Sequence, residues 1–238
     1  SQLDGDVKTS VVPLGVDPSI FNSKPNRPDD TFVIHNIGKI EIRKGHDIIP
    51  NILNKAFRKD DNYKLKMMWR NPVVEQVMGS DEIVGWENHY RNELGDKVEF
   101  YAPMPLNKQV AEFMNSSHLG LYPARAEGWN LSLLESMACG CHVVTTNYSA
   151  HTEYCTNDNA ALITPTELES AYDAVFFDGF AEWAHISEND INEFANKVRA
   201  YYELWKKGSL SEHINGIKTA SKFTWDNTVR IMRTALND

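Results

Sequence analysis

Short apolar runs alternate with longer amphipathic segments along the chain from residue 31 onward. The runs are rich in aliphatic, aromatic and β-branched residues, which is typical of strands buried on both faces of a sheet. They predict six strands, at residues 31–37, 64–69, 97–101, 118–122, 142–146 and 160–163. The intervening segments predict helices, at residues 46–58, within 73–94, at 107–116, at 130–139 and, as a short piece, near 150–155.

Strands and helices that alternate at this spacing favour βαβ units. We therefore expect an α/β fold with one Rossmann-like, mostly parallel sheet flanked by helices on both faces. Residues 1–30 are polar and turn-rich and predict an arm with one short strand around Val11, whereas the pattern after Pro165 predicts helices only. Ligands of such a sheet bind at the carboxyl ends of its strands. Candidate chemistry therefore belongs after Ile37, Tyr101, Tyr122 and Thr146.

Composition narrows the class of protein. The 238 residues include 24 Lys and Arg against 33 Asp and Glu, so the net charge is −9, which argues against a nucleic-acid partner. The spacing of Cys139, Cys141 and Cys155 fits neither a disulfide framework nor a zinc site, and predicts buried free thiols in a reducing compartment. No apolar run approaches the length of a transmembrane helix. We expect a cytoplasmic protein.

The first candidate loop follows the strand at 31–37. The chain turns at Gly38, where a missing side chain lets the backbone approach a ligand. Lys39 and Lys44 flank the loop and could hold a diphosphate as point charges, and Gly45 precedes a helix. The pattern is neither a P-loop nor a dinucleotide fingerprint, so a solvated, lysine-bearing turn is the competing interpretation.

The second candidate loop follows the strand at 118–122. Asn130 is placed to cap the helix that begins there, and Gly140 is the residue expected just past its end. The amides of Gly128 to Leu131, together with the helix dipole, make a natural anion site. This segment predicts that a phosphate binds at the start of the helix.

Two carboxylates bracket that anion site, Glu127 in the loop and Glu135 in the helix. Glu135 lies about 7.5 Å further along the helix axis, at about 1.5 Å per residue, and helical side chains lean toward the N-terminus. A carboxylate accepts hydrogen bonds from vicinal hydroxyls. The ligand that fits is a nucleotide-diphosphate sugar, with its ribose at Glu135 and its sugar at Glu127. The competing interpretation is that Glu127 complements the helix dipole and Glu135 is solvated.

Five stretches add a resemblance that extends over nearly the whole chain. They are VVPLGVDPSIF, IGKIEIRKG, YPARAEGWNLSLLESMACGCHVV, HTEYC and FTWDNTVRIM. In this order they resemble the donor-binding half of retaining glycosyltransferases of family 4, which have the GT-B fold. The third stretch is the most specific. Lys39 stands where the family usually has Arg, Asn130 replaces a Gly, and His142 replaces a Pro.

The resemblance implies a role for each candidate residue. The chain would be the donor-binding half of a transferase that moves a hexose from a nucleotide-diphosphate sugar, with no metal and no other cofactor. Glu127 would contact the donor sugar, and Lys44 and Lys39 would neutralise the departing diphosphate. Glu135 would bind the ribose. The other substrate-binding positions would be Gly38, Gly128, Trp129, Asn130 and Leu131.

The resemblance also implies a domain organisation. Residues 1–30 would be the hinge segment, 31–165 the Rossmann-like donor-binding domain, and 166–238 helices that pack on the same domain. These 238 residues do not include the N-terminal, acceptor-binding domain of a GT-B enzyme. We expect that domain either elsewhere in the same polypeptide or in a separate chain. The acceptor stays unknown, and the full-length protein could lie peripherally at a membrane.

Two other functions fit the same residues. One is a module that binds a nucleotide sugar without turning it over. The other is a nucleotide-sugar epimerase built on the same fold, which would need no acceptor.

Overall fold

The computed structural model describes residues 9–69, 76 and 80–237. Six parallel strands form one sheet in the order β3-β2-β1-β4-β5-β6. All six coincide with predicted strands to within about a residue. They are β1 Phe32–Gly38, β2 Tyr63–Trp69, β3 Val98–Tyr101, β4 Leu119–Tyr122, β5 His142–Thr146 and β6 Ala161–Ile163.

Helices connect these strands and continue after them. Within the described residues they are α1 Ile49–Ala56, α2 Ser80–Leu94, α3 Asn107–Asn115, α4 Leu131–Ala138, α5 Glu188–Lys206, α6 Ile214–Ala220 and α7 Trp225–Asn237. A 3₁₀ turn at Ser149–Glu153 replaces the short helix predicted near 150–155. The predicted helix within 73–94 is confirmed from Ser80 onward, and most of its earlier part lies outside the described residues.

Alternate strand residues pack into two hydrophobic cores, one on each face of the sheet. Val144 belongs to the core that α1 and α5 cover, whereas its neighbour Val143 belongs to the core beneath α4. Because side chains alternate between the faces of a strand, a strand covered on both faces must be apolar at successive positions. The predicted α/β fold with helices on both faces is thereby confirmed.

The region after Pro165 corrects the prediction of helices only. It contains an antiparallel hairpin of β7 Leu168–Tyr172 and β8 Asp178–Ala184. Asp173 holds the turn, because its Oδ1 accepts hydrogen bonds from the amides of Val175, Phe176 and Phe177. Contacts with Arg125, which is distant in the chain, help to hold these strands, so the local hydrophobic pattern gave little sign of them.

Three smaller predictions can be compared with the structure. The prediction of a strand around Val11 is wrong, because residues 9–15 form no strand. The described part of the arm makes one isolated bridge, between Val16 and Thr224. Cys139, Cys141 and Cys155 are buried and free, as predicted. In the described part of the chain, no helix has both the length and the hydropathy needed to cross a membrane.

Candidate functional site

Two loops meet at the carboxyl edge of the sheet, one after β1 and one after β4. The amide of Arg125 donates to the carbonyl of Arg43 across 2.7 Å. Gly45 has φ +73°, and a Cβ at this position would lie 2.0 Å from the carbonyl oxygen of Pro123. Contact this close explains why glycine follows Lys44, since any side chain would push the loops apart. The sequence placed Gly45 at the start of a helix, but its contact with Pro123 was not apparent.

Glu127 lies where the two loops meet and joins them by charge. Its Oε1 accepts a hydrogen bond from Lys44 Nζ at 2.5 Å, and its Oε2 accepts one from Arg43 Nη1 at 2.8 Å. The carboxylate is only 7% exposed. Burial alone would raise the pKa of Glu127, but Lys44 and Arg43 outweigh it and lower the pKa below its usual range. Glu127 is therefore an anion held between two cations.

Arg43 is a site residue that sequence analysis missed. Besides Glu127, its guanidinium contacts Glu41 Oε2 at 2.6 Å and the carbonyl of Ala126 at 2.7 Å. The signal available in the sequence was its position next to Lys44 in the same loop. Two adjacent residues rarely point to one partner in a regular element, but Arg43 and Lys44 lie in a 3₁₀ turn whose geometry lets both reach Glu127.

The start of α4 is open. Asn130 occupies the N-cap position, as predicted, but its backbone has φ +66° and its side chain caps no amide. Its Nδ2 donates instead to His151 Nε2 at 2.9 Å, while His151 Nδ1 lies 3.1 Å from the carbonyl of Thr146. Burial lowers the pKa of His151 to about 4, so the ring is neutral and structural. The amide of Leu133 donates to the carbonyl of Asn130 at 3.1 Å, whereas the amides of Leu131 and Ser132 have no partner among the described residues and are left for a ligand or water.

The loop before α4 presents backbone rather than side chains. Gly128 is exposed, with open space where a Cβ would be. Trp129 is 9% exposed and packs against Tyr154 and Phe223, so its ring belongs to the core. A ligand at this loop would contact the main chain of residues 128–131.

Glu135 is half-buried on α4, and its side chain has no hydrogen-bond or ion-pair partner among the described residues. Burial raises the pKa of Glu135 to about 7. An unpartnered carboxylate in such surroundings has the capacity to accept hydrogen bonds from a ligand's hydroxyl groups. The two glutamates therefore differ in kind, because Glu127 is paired with cations and Glu135 is not.

Gly38 and Lys39 border an apolar cavity of about 310 Å³ at the ends of β1 and β2. Its walls are Ile37, Gly38, Lys39, Met68, Trp69, Pro103, Met104 and Val110. Lys39 is exposed and forms no ion pair with any described residue. The stem of Lys44 crosses Gly38, where a Cβ would lie 2.9 Å from Lys44 Cδ. The bare glycine thus makes room for Lys44 to reach Glu127.

Replacing Glu135 with glutamine is expected to stabilise the chain at alkaline pH. The folded-state pKa of about 7 lies above the ordinary value of 4.5, so the wild type loses stability as pH rises through this window. The gain of Glu135→Gln over wild type should grow between about pH 5 and pH 8 by on the order of 2 kcal/mol. Urea unfolding at both pH values measures it, and a pH-independent difference would contradict it.

Comparison with known proteins places this arrangement in a family. Residues 19–176 match the family model of glycosyl transferases group 1. The chain is 26% identical over 231 residues to D-inositol 3-phosphate glycosyltransferase of Acidothermus cellulolyticus, covering 92% of this chain and 45% of that protein. It is 26% identical over 140 residues to one of the subunits of human phosphatidylinositol N-acetylglucosaminyltransferase, covering 58% of this chain and 26% of that protein.

Solved structures share the fold at lower identity. Sucrose-phosphate synthase from Thermosynechococcus elongatus superposes with a TM-score of 0.71 at 17% identity, over 97% of this chain and 52% of that one. Anabaena HepE in complex with UDP-glucose gives 0.65 at 16% identity, over 94% and 55%. The chain spans about half the length of these proteins or less. It belongs to the glycosyl transferases group 1, and its sheet is one Rossmann-like half of a GT-B fold.

Proposed function

We propose that this chain is the donor-binding half of a retaining, family 4-like glycosyltransferase that moves a hexose from a nucleotide-diphosphate sugar to an acceptor. The observation that carries the proposal is the ion cluster of Lys44, Arg43 and Glu127 beside the open start of α4. It joins cations, free amides and a carboxylate at the sheet edge where α/β proteins bind ligands.

The diphosphate would bind between the cations and the helix. Lys44 and Arg43 are half-buried, with side chains 16% and 17% exposed, so their charges are less screened than those of surface residues. Lys39 is exposed and adds a third positive charge at the rim. Fixed cations and helix amides stabilise the negative charge that develops on a departing diphosphate. Charge neutralisation of the leaving group is the contribution we assign to this part of the site.

The two carboxylates would bind the two ends of the donor. Glu135, which has no described partner, would accept hydrogen bonds from the ribose hydroxyls. Glu127 would keep one oxygen on Arg43 and offer the other to a sugar hydroxyl as Lys44 turns toward the diphosphate. The apolar cavity beside Gly38 has a size that suits a nucleobase. Because HepE was crystallised with UDP-glucose, a UDP-sugar is the first donor to test. GDP- and ADP-sugars are tested beside it.

An incubation without acceptor tests this proposal and separates it from the epimerase alternative. The purified 238-residue chain is incubated with UDP-glucose, GDP-mannose or ADP-glucose, without acceptor, and the nucleotides are resolved by chromatography. We expect slow release of nucleotide diphosphate from one donor, because the donor site is present and water is the available nucleophile. We expect the release to fall in Glu127→Gln.

The other outcomes identify the alternatives. An epimerised nucleotide sugar would identify an epimerase. Binding of a donor in calorimetry, with no transfer by the full-length protein that carries Glu127, would identify a non-catalytic module. Efficient transfer to a defined acceptor by these residues alone would contradict the assignment to a donor half.

A further inference from the structure

The hairpin of β7 and β8 is anchored to the candidate site by one carboxylate, Glu169. Its Oε1 accepts hydrogen bonds from Arg125 Nε at 3.1 Å and from Trp183 Nε1 at 2.9 Å. Its Oε2 accepts one from His185 Nδ1 at 2.8 Å. Trp183 and His185 belong to the hairpin or follow it directly, whereas Arg125 belongs to the loop after β4. Glu169 therefore links the hairpin to the loop that carries Glu127.

Arg125 is the point where three segments meet. Its guanidinium makes a two-point contact with Asp47, at 2.8 Å for each oxygen, and Nη1 also donates to the carbonyl of Ile42 at 2.6 Å. Its backbone carbonyl accepts from the amide of Ala184 at 3.1 Å. The side chain is 10% exposed. A guanidinium has five N–H donors in a rigid fork, so contacts on several sides fix its position as a point charge could not.

The hairpin also reaches the loop after β1. Asp173, Val175 and Phe176 at its tip line a small cavity together with Ile40, Glu41 and Ile42. Glu41 is the residue that accepts hydrogen bonds from Arg43, and Arg43 in turn contacts Glu127. The hairpin therefore packs against both loops of the site. Glu169 does not contact Glu127 directly, but it binds the side chain of Arg125, which precedes Glu127 by two residues.

We propose that Glu169, acting through Arg125, is a positioning residue that holds the Glu127 loop against the Lys44 loop. The consequence for the donor rests on the proposed function, because only a bound nucleotide sugar would use the geometry thus fixed. Glu169 itself contacts Arg125, Trp183 and His185, and we assign it no contact with the donor. Its effect passes to Glu127 through the backbone of residues 125–127 and through the contact of Arg125 with Asp47.

The test compares Glu169→Gln with Glu182→Gln. Glu182 lies on the same hairpin and loses the same charge on replacement, but it is exposed and its side chain forms no hydrogen bond or ion pair with the described residues. Hydrogen–deuterium exchange of the ligand-free 238-residue chain reports on the amides of residues 124–128. We expect these amides to exchange about fivefold faster in Glu169→Gln, which corresponds to about 1 kcal/mol for a partly exposed charged contact. Glu182→Gln should match the wild type.

A second variant keeps the test decisive if Glu169→Gln unfolds. Glu169→Asp retains the charge but is one methylene shorter, so it leaves the contacts of Arg125 with Asp47 and Ile42 in place, and we expect it to raise exchange in the same amides. Faster exchange confined to residues 168–184, with 124–128 unchanged, would overturn the proposal, since Glu169 would then serve the hairpin alone.

Ligand titration adds a second measurement, a ratio of two affinities, which would not change if Glu169→Gln only lowered the stability of the whole fold. The ratio of UDP-glucose affinity to UDP affinity should fall in Glu169→Gln and stay unchanged in Glu182→Gln. If the wild type binds none of the UDP-, GDP- or ADP-sugars, the proposed function fails, and the exchange experiment still decides whether Glu169 positions the loop.

Discussion

Replacing Lys44 with methionine is expected to weaken nucleotide-diphosphate binding by about tenfold to a hundredfold, because one charge-assisted contact worth about 1.5–3 kcal/mol is lost. Methionine keeps the apolar stem that crosses Gly38, so the change removes charge rather than packing. Arg43 continues to neutralise Glu127, which limits any loss of stability. Calorimetric titration with nucleoside diphosphate and with nucleoside measures the effect.

The nucleoside is the internal control, since it carries no phosphate and its affinity should hardly change. Lys59→Met supplies a matched control. Lys59 is an exposed lysine that precedes β2, so it lies near the amino-terminal ends of the strands, whereas the candidate site lies at their carboxyl ends. Equal losses for nucleoside and nucleoside diphosphate in Lys44→Met would mean that Lys44 acts by holding the site together. If Lys59→Met lost as much affinity for nucleoside diphosphate as Lys44→Met, the effect would come from the net charge of the chain and not from a contact of Lys44 with the ligand.

The second large effect is expected from Gly45→Ala, which should lower the free energy of unfolding by about 2–5 kcal/mol. Of this, about 1–2 kcal/mol comes from the left-handed backbone, which a residue with a Cβ adopts at a cost. The rest, about 1–3 kcal/mol, comes from the clash with Pro123, which overpacks the contact between the two loops. Urea unfolding measures the loss.

Gly95→Ala is the matched control for that experiment. Gly95 also has a positive φ, +60°, but nothing lies within 4 Å of the position of its Cβ. Its replacement should therefore show the backbone contribution alone. If Gly45→Ala and Gly95→Ala lose the same amount of stability, the close approach of Pro123 to Gly45 is not what fixes glycine at residue 45.

The six strands could be predicted because their information is local. A strand covered on both faces is apolar at successive positions, and glycine after α4 adopts the φ of +72° expected at a helix end. The hairpin could not be predicted in this way. Its β7 strand is mostly exposed, and Tyr172 and Phe180 face solvent at 60% and 93% exposure. It is held by contacts with a distant residue, Arg125, which binds Glu169 through its side chain and the amide of Ala184 through its carbonyl.

The candidate site shows the same division between local and distant information. Residue type and spacing made Glu127, Lys44 and the start of α4 candidates, and the resemblance to family 4 glycosyltransferases gave them their expected roles. That Glu127 is paired with both Lys44 and Arg43 depends on the approach of two loops more than 80 residues apart. Asn130 has the right residue type for a cap, but His151 from another segment takes its side chain. Such partners follow from the tertiary fold and leave little trace in the adjacent sequence.

The most direct test of the central claim, that Glu135 and Glu127 bind opposite ends of a nucleotide-diphosphate sugar, is a comparison of two variants by calorimetric titration. Glu135→Ala and Glu127→Gln are each titrated with nucleoside diphosphate and with the matching nucleotide sugar, using Glu182→Gln as a surface control. Glu135→Ala should weaken both ligands by about tenfold, the loss of a hydrogen bond to a charged group. Glu127→Gln should leave nucleoside diphosphate nearly unchanged and weaken only the nucleotide sugar. If both variants weaken nucleoside diphosphate equally, the two glutamates do not bind opposite ends, and the claim is contradicted.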